Sequence, residues 1–177
     1  MTASTAKSTL ITNLEASPSL QGSFGQTGNG LKVAFVTNSV ATTSTDEQND
    51  IFLFLPVPSG AVPVSLMVFN DDLDSGATPA LAVDVGLYYG NDIAGKTSGT
   101  AIDVDCFASA ITTLQAANTT GVEILFEALD INKIGKPLWE IGSLTSNPGG
   151  TLYVGMKATT AAATAAEGDV TLIMKYV

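Results

Sequence analysis

In LAVDVGLYY, residues 81 to 89, Leu81, Val83, Val85, Leu87 and Tyr89 fall at every second position, with Asp84 between them. Successive side chains of a β-strand point to opposite faces, so this period of two predicts a strand with one face in a core and Asp84 facing out. The same period recurs in TLYVGMK, with Leu152, Val154 and Met156, and in DVTLIMKYV, with Val170, Leu172, Met174 and Tyr176. VPVSLMVF offers Val62, Val64, Leu66 and Val68 as its inward set, and LKVAFVT offers Leu31, Val33 and Phe35. IFLFLPVPSG is apolar on both faces until Pro56 and Pro58, which predicts a covered strand that stops at the prolines.

Seven or eight such strands, separated by Gly, Pro, Asn and Asp turns, predict an all-β chain. The expected architecture is an antiparallel β-sandwich of jelly-roll type with an extended N-terminal arm and one or two short helices. Between residues 103 and 142 the period is mixed. There DVDCFASAITTLQ predicts the start of a short helix, VEILFE a strand and DINKIGKPLWEIG a broken helix. The Ala- and Thr-rich ATTAAATAAEG predicts a loop joining the last two strands as antiparallel neighbours. Residues 1 to 30 carry one apolar island, Leu10, Ile11 and Leu14, and close with the glycine-rich GSFGQTGNG. They read as the arm, and residues 31 to 177 as the sandwich body.

Charge narrows the function. The chain has seven lysines, no arginine, no histidine and seventeen carboxylates, for a formal net charge of -10. Nucleic-acid affinity comes largely from neutralising phosphates, so neither DNA nor RNA is expected as a partner, and an anionic membrane surface is disfavoured for the same reason. Without His there is no Ser-His-Asp triad, no Cys-His pair and no His-ligated zinc. The single cysteine, Cys106, cannot form an internal disulfide and is expected as a small buried residue. The N-terminal stretch lacks the apolar core of a signal peptide, and no run is long enough to span a membrane as a helix, so synthesis and use without secretion are expected.

One motif runs against this reading. YYGNDIAGKTSG, residues 88 to 99, places Gly90, Gly95, Lys96 and Thr97 at the spacing of a phosphate-binding P-loop. Such a loop needs a helix after it, whose N-terminus faces the phosphates, but SGTAIDVDC is a poor first helical turn. Asp92 also lies where a phosphate chain would sit, so the stretch is expected to be a polar inter-strand loop. FNDDLDSG spaces Asn70, Asp72 and Asp74 as a calcium loop does, but neither register supplies the glycine and the bidentate glutamate such a loop requires. An acidic turn is expected, with calcium at Asp72 and Asp74 left open. Trp139 reads as an anchor in the core or at an interface. No carboxylate pair stands out as acid and base, and no cofactor or resident metal is expected.

Phrases along the chain carry a resemblance. DIFLFLPVPSGAVPVSLMVFNDDLDSGATPALAVDVGLYYGNDIAG, then DVDCFASA, GKPLWEIGSLTSNPGGTLYV and TTAAATAAEGDVTLIMKY, resemble the head decoration, or cement, and minor capsid structural proteins of tailed bacteriophages. The similarity runs over roughly residues 8 to 177. It implies a non-enzymatic protein on the outer surface of the virion capsid, made in the host cytoplasm, with the major capsid protein as partner and a homo-oligomer, a trimer, as its form. In that setting Leu10, Ile11 and Leu14 become the expected capsid interface. Two other readings stay open: a tail-associated or host-glycan-binding sandwich using Tyr88, Tyr89 or Trp139, and a P-loop nucleotide-binding protein.

Overall fold

The structure, a computed structural model, describes residues 30 to 41 and 48 to 177. Eight strands account for most of them: β1 (Lys32–Ala41), β2 (Ile51–Pro58), β3 (Pro63–Asn70), β4 (Ala82–Tyr89), β5 (Ala101–Ile111), β6 (Asn118–Glu123), β7 (Thr151–Thr160) and β8 (Glu167–Tyr176). They form two four-stranded sheets, β1-β8-β3-β6 and β2-β7-β4-β5, antiparallel throughout. First pairs with last, second with seventh, third with sixth and fourth with fifth, as if one long hairpin had been rolled into two layers. This is the jelly roll expected from the strand pattern. One turn of α-helix, α1 (Leu138–Ile141), and two 3-10 turns, Thr113–Gln115 and Ile131–Lys133, are the helical elements among the described residues. The expected arm, including Leu10, Ile11 and Leu14, lies outside the described residues except for Gly30.

The core is where period two said it would be for the strongest strands. Val83, Val85 and Leu87 of β4, Leu152, Val154 and Met156 of β7, and Val170, Leu172 and Met174 of β8 are all buried. Leu66 and Val68 of β3 and Phe107 of β5 complete the contact between the layers. Burying each such side chain contributes about 2 kcal/mol against chain entropy.

Pairing corrects several expectations. Leu31, Val33 and Phe35 point outward, at 57%, 54% and 73% exposure, while Ala34, Val36 and Val40 take the inner side. LKVAFVT is apolar on both parities, so its own pattern does not choose a face. The partner strand chooses: Val36 lies opposite Leu172 and Ala34 opposite Met174, both of which are core residues. Val64 is exposed as well, because the register slips between Pro63 and Ser65 and turns the strand before Leu66. Pro56 and Pro58 lie within β2, which is an edge strand where a missing N–H costs no ladder bond.

The helix expected at DVDCFASAITTLQ is the long strand β5, followed by a 3-10 turn. VEILFE contributes only its first residues to β6, after which Ile124 and Leu125 turn into the core. The last two strands are joined by the expected loop, but β7 and β8 belong to different sheets and do not pair.

Asp84 does not face solvent; it is 8% exposed. β5 runs from Ala108 to Asp103 while its partner β4 runs only from Val85 to Leu87, so β5 bulges and folds over β4. Asp84 Oδ1 accepts the Ala110 N–H at 2.8 Å beneath this cover, and Tyr88 is sealed completely. Gly86 is the residue that permits the approach: a Cβ there would lie 2.1 Å from the Asp103 carbonyl oxygen.

Candidate functional site

The P-loop-like stretch folds back on its own strands. Gly90 N–H donates to the Thr151 carbonyl at 3.0 Å, and Gly99 N–H to the Tyr89 carbonyl at 2.8 Å. Asp92 accepts the Thr151 N–H through Oδ1 and the Thr151 hydroxyl through Oδ2, both at 2.9 Å, and these two bonds hold its carboxyl below the usual aspartate range. Lys96 Nζ lies 5.0 Å from the centre of the Tyr89 ring, a cation–π distance. Strand β5 begins at Ala101, where a P-loop requires a helix. With Asp92 in the loop and no helix N-terminus after it, the stretch has the geometry of an inter-strand connection.

The acidic turn is a structural clamp. Asp74, 1% exposed, receives the N–H groups of Ala80, Leu81 and Ala163 on Oδ2 at 2.6, 2.9 and 3.0 Å, and that of Thr164 on Oδ1 at 2.7 Å. Burial by itself would push its carboxyl up, but these four amides outweigh it and hold the pKa at about 2. Asp72 accepts the Asp74 N–H, and Asp71 accepts that of Asp169. The turn therefore ties two inter-strand loops together through backbone amides, and among the described residues no group of three acidic, His or Cys side chains is arranged to hold a metal. Tyr88, one of the candidate stacking aromatics, is wholly buried and cannot meet a ligand, while Tyr89 and Trp139 are half-buried.

Apolar side chains also stand on the outer face of the β1-β8-β3-β6 sheet. Register aligns Phe35, Ile173 and Met67 in one row across three strands. Above it stand Thr37, Thr171 and Phe69, and below it Val33, Lys175 and Ser65. The hydroxyls of Thr37 and Thr171 are 2.7 Å apart. On β6, Gly121 brings bare backbone against Phe69 and Met67: a Cβ there would lie 2.5 Å from the Phe69 ring. That close approach leaves Met67 and Phe69 half-buried, whereas Phe35 and Val33 stand clear. A groove of about 430 Å³ opens beside the apolar row, lined by residues that include Thr37, Phe69, Asp71, Asn118, Asp169 and Thr171.

A chain in the structure titled Capsid of Ralstonia phage GP4 is similar to this one at 25% identity and a TM-score of 0.56, over 82% of this chain and 84% of that one. A chain of the Cyanophage Pam1 capsid asymmetric unit shares the fold at 24% identity and a TM-score of 0.51, over 84% and 86%. Both come from phage capsids. No protein-family model matches the sequence, and the search of curated proteins found no match.

The structure thus separates the residues that the sequence singled out. Gly90, Asp92, Gly95 and Lys96 share one loop at one end of the sandwich, and Asp72 and Asp74 share a clamp among the loops at the other. The outer face built on Phe35, Ile173 and Met67 was not foreseen. The signal for it was present in LKVAFVT: a segment apolar at both parities must show one apolar set to something other than its own core.

Proposed function

We propose that this chain is a non-enzymatic phage capsid component that decorates the outer surface of the head and stabilises contacts between major capsid proteins. The observation that carries the reading is the match, at 25% identity over 82% of the chain, to a phage capsid chain, together with a two-sheet jelly-roll body. A two-layer sandwich is a stiff wedge for a junction between shell subunits. A net charge of -10 keeps such a part away from packaged DNA.

In this reading residues 1 to 30 are an arm and the rest a body. Leu10, Ile11 and Leu14 anchor the arm on a neighbouring subunit as an added strand or bound peptide. The chain works as a homo-oligomer, with a trimer expected, because each further contact with the shell is made at high effective concentration. Purified protein added to undecorated heads should bind in hundreds of copies and raise the temperature at which the heads release DNA. A handful of copies per virion would favour the tail-associated reading instead. Deleting residues 1 to 20 should leave a folded body that no longer binds heads, and unchanged occupancy would remove the arm's role.

A further inference from the structure

We propose that the outer face of the β1-β8-β3-β6 sheet is the surface through which one copy of this chain binds a second. The proposal deepens the homo-oligomer of the preceding reading by assigning a two-fold contact, which pairs chains in place of the trimer, and it rests on that reading only for the oligomer's purpose. Phe35, at 73% exposure, and Val33, at 54%, flank Ile173 on the sheet's outer face, with no described element covering them. Apolar area of this kind on a sheet face is stabilised by pairing with another face, as in the packing of two sheets about 10 Å apart.

Charge identifies the occupant. Two bodies that share a net charge of -10 repel at long range, so a contact between them needs a surface where the repulsion is absent or reversed. The outward positions of β8 supply this in order: Asp169, Thr171, Ile173, Lys175. A carboxylate stands at one end and an ammonium at the other, about 20 Å apart for six residues of strand. Asp71 adds a second carboxylate at the Asp169 end of the face. Lys175 forms no ion pair with another described residue; the pair among them is Lys136 with Glu140, at 3.1 Å. A second copy placed on this face in the opposite sense puts its Lys175 against Asp169 and Asp71, and sets apolar centre on apolar centre. Because the same patch faces itself, the contact is isologous and closes across a two-fold axis. A shell of unrelated chemistry has no reason to match this order of charges; a copy of the same face matches it by construction.

The test is the mass of the full-length chain in solution by sedimentation equilibrium at moderate salt. The wild type is expected to be oligomeric. Phe35→Asp, at an exposed edge-strand position, is expected to give the mass of a single chain with an unchanged circular dichroism spectrum. Lys175→Asp should weaken the association at least tenfold, and adding Asp169→Lys to it should restore most of the loss. A monomeric wild type overturns the proposal, as does a Phe35→Asp variant that keeps the wild-type mass. An oligomer that survives Phe35→Asp but falls apart on deletion of residues 1 to 20 assigns the contact to the arm and overturns it too. Phe35→Asp that binds heads less well at unchanged mass assigns the face to the shell, with the same consequence. Head binding is measured separately, so a stable oligomer that ignores heads defeats the decoration reading and leaves this one standing.

Discussion

Thr164 donates its backbone N–H to Asp74 Oδ1 at 2.7 Å, although ninety residues separate the two in the chain. With the amides of Ala80, Leu81 and Ala163 on the other oxygen, one carboxylate holds the loop after β3 against the loop before β8. Replacing Asp74 by Ala leaves four amides without their acceptor, and a loss of about 3 kcal/mol or more is expected in urea denaturation.

The same carboxylate sets a pH dependence. Its pKa is depressed in the fold, from 3.8 to about 2. A depressed acid contributes its stability above the unfolded value and loses it as pH falls through the folded one. The stability difference between wild type and Asp74→Asn should therefore be full above about pH 5 and shrink steadily towards pH 2. Denaturation midpoints of the two proteins across that range measure it, and a constant gap would remove Asp74 from the account.

Gly86 and Gly95 give opposite tests of backbone space. A Cβ at Gly86 meets the Asp103 carbonyl at 2.1 Å and Val104 carbon at 2.4 Å, neither of which can rotate away. Gly86→Ala should cost about 3 kcal/mol or prevent soluble expression. Gly95, by contrast, has nothing within 4 Å and only a φ of +72° to lose. Gly95→Ala should cost about 1 kcal/mol, the strain of a left-handed residue in a surface loop.

Tyr88 carries a hydroxyl that is buried without a hydrogen-bond partner among the described residues. Burial, with Asp84 and Cys106 nearby, pushes its pKa up to about 12. Tyr88→Phe removes an unpaired polar atom while keeping the ring that fills the space beside Gly155, so it should be neutral or stabilising by up to about 1 kcal/mol. Ultraviolet titration of the wild type should show one tyrosine ionising only towards pH 12, a step that the variant lacks.

Lys96 lies over the Tyr89 ring rather than in a phosphate cradle. Magnesium and ATP should leave the melting temperature unchanged, and Lys96→Ala should cost about 0.5 kcal/mol through the lost cation–π contact. A reproducible ATP-dependent stabilisation that disappears in Lys96→Ala would reverse this reading of the loop.

Sequence alone determined the class of the fold and the inner faces of β7 and β8, and of β4 on one side. In β7 and β8 the residues between the core positions are polar, aromatic or small, apart from Ile173, so the alternating apolar set marks the face that enters the core. It also determined that Gly90 to Thr97 is a loop, since Gly99, Thr100 and the β-branched residues after it are poor helix formers. Tertiary structure decided the rest. LKVAFVT is apolar at both parities, and only its pairing with β8 turned Phe35 out and Val36 in. DVDCFASAITTLQ has a composition that tolerates a helix, but β4 offered it a ladder and it became a bulged strand, hiding Asp84 and Tyr88 in the process. The last two strands, adjacent in sequence, were parted into different sheets by the roll of the whole chain. The physical reason is common to all three: period two fixes which residues share a face, while the partner strand fixes which way that face looks.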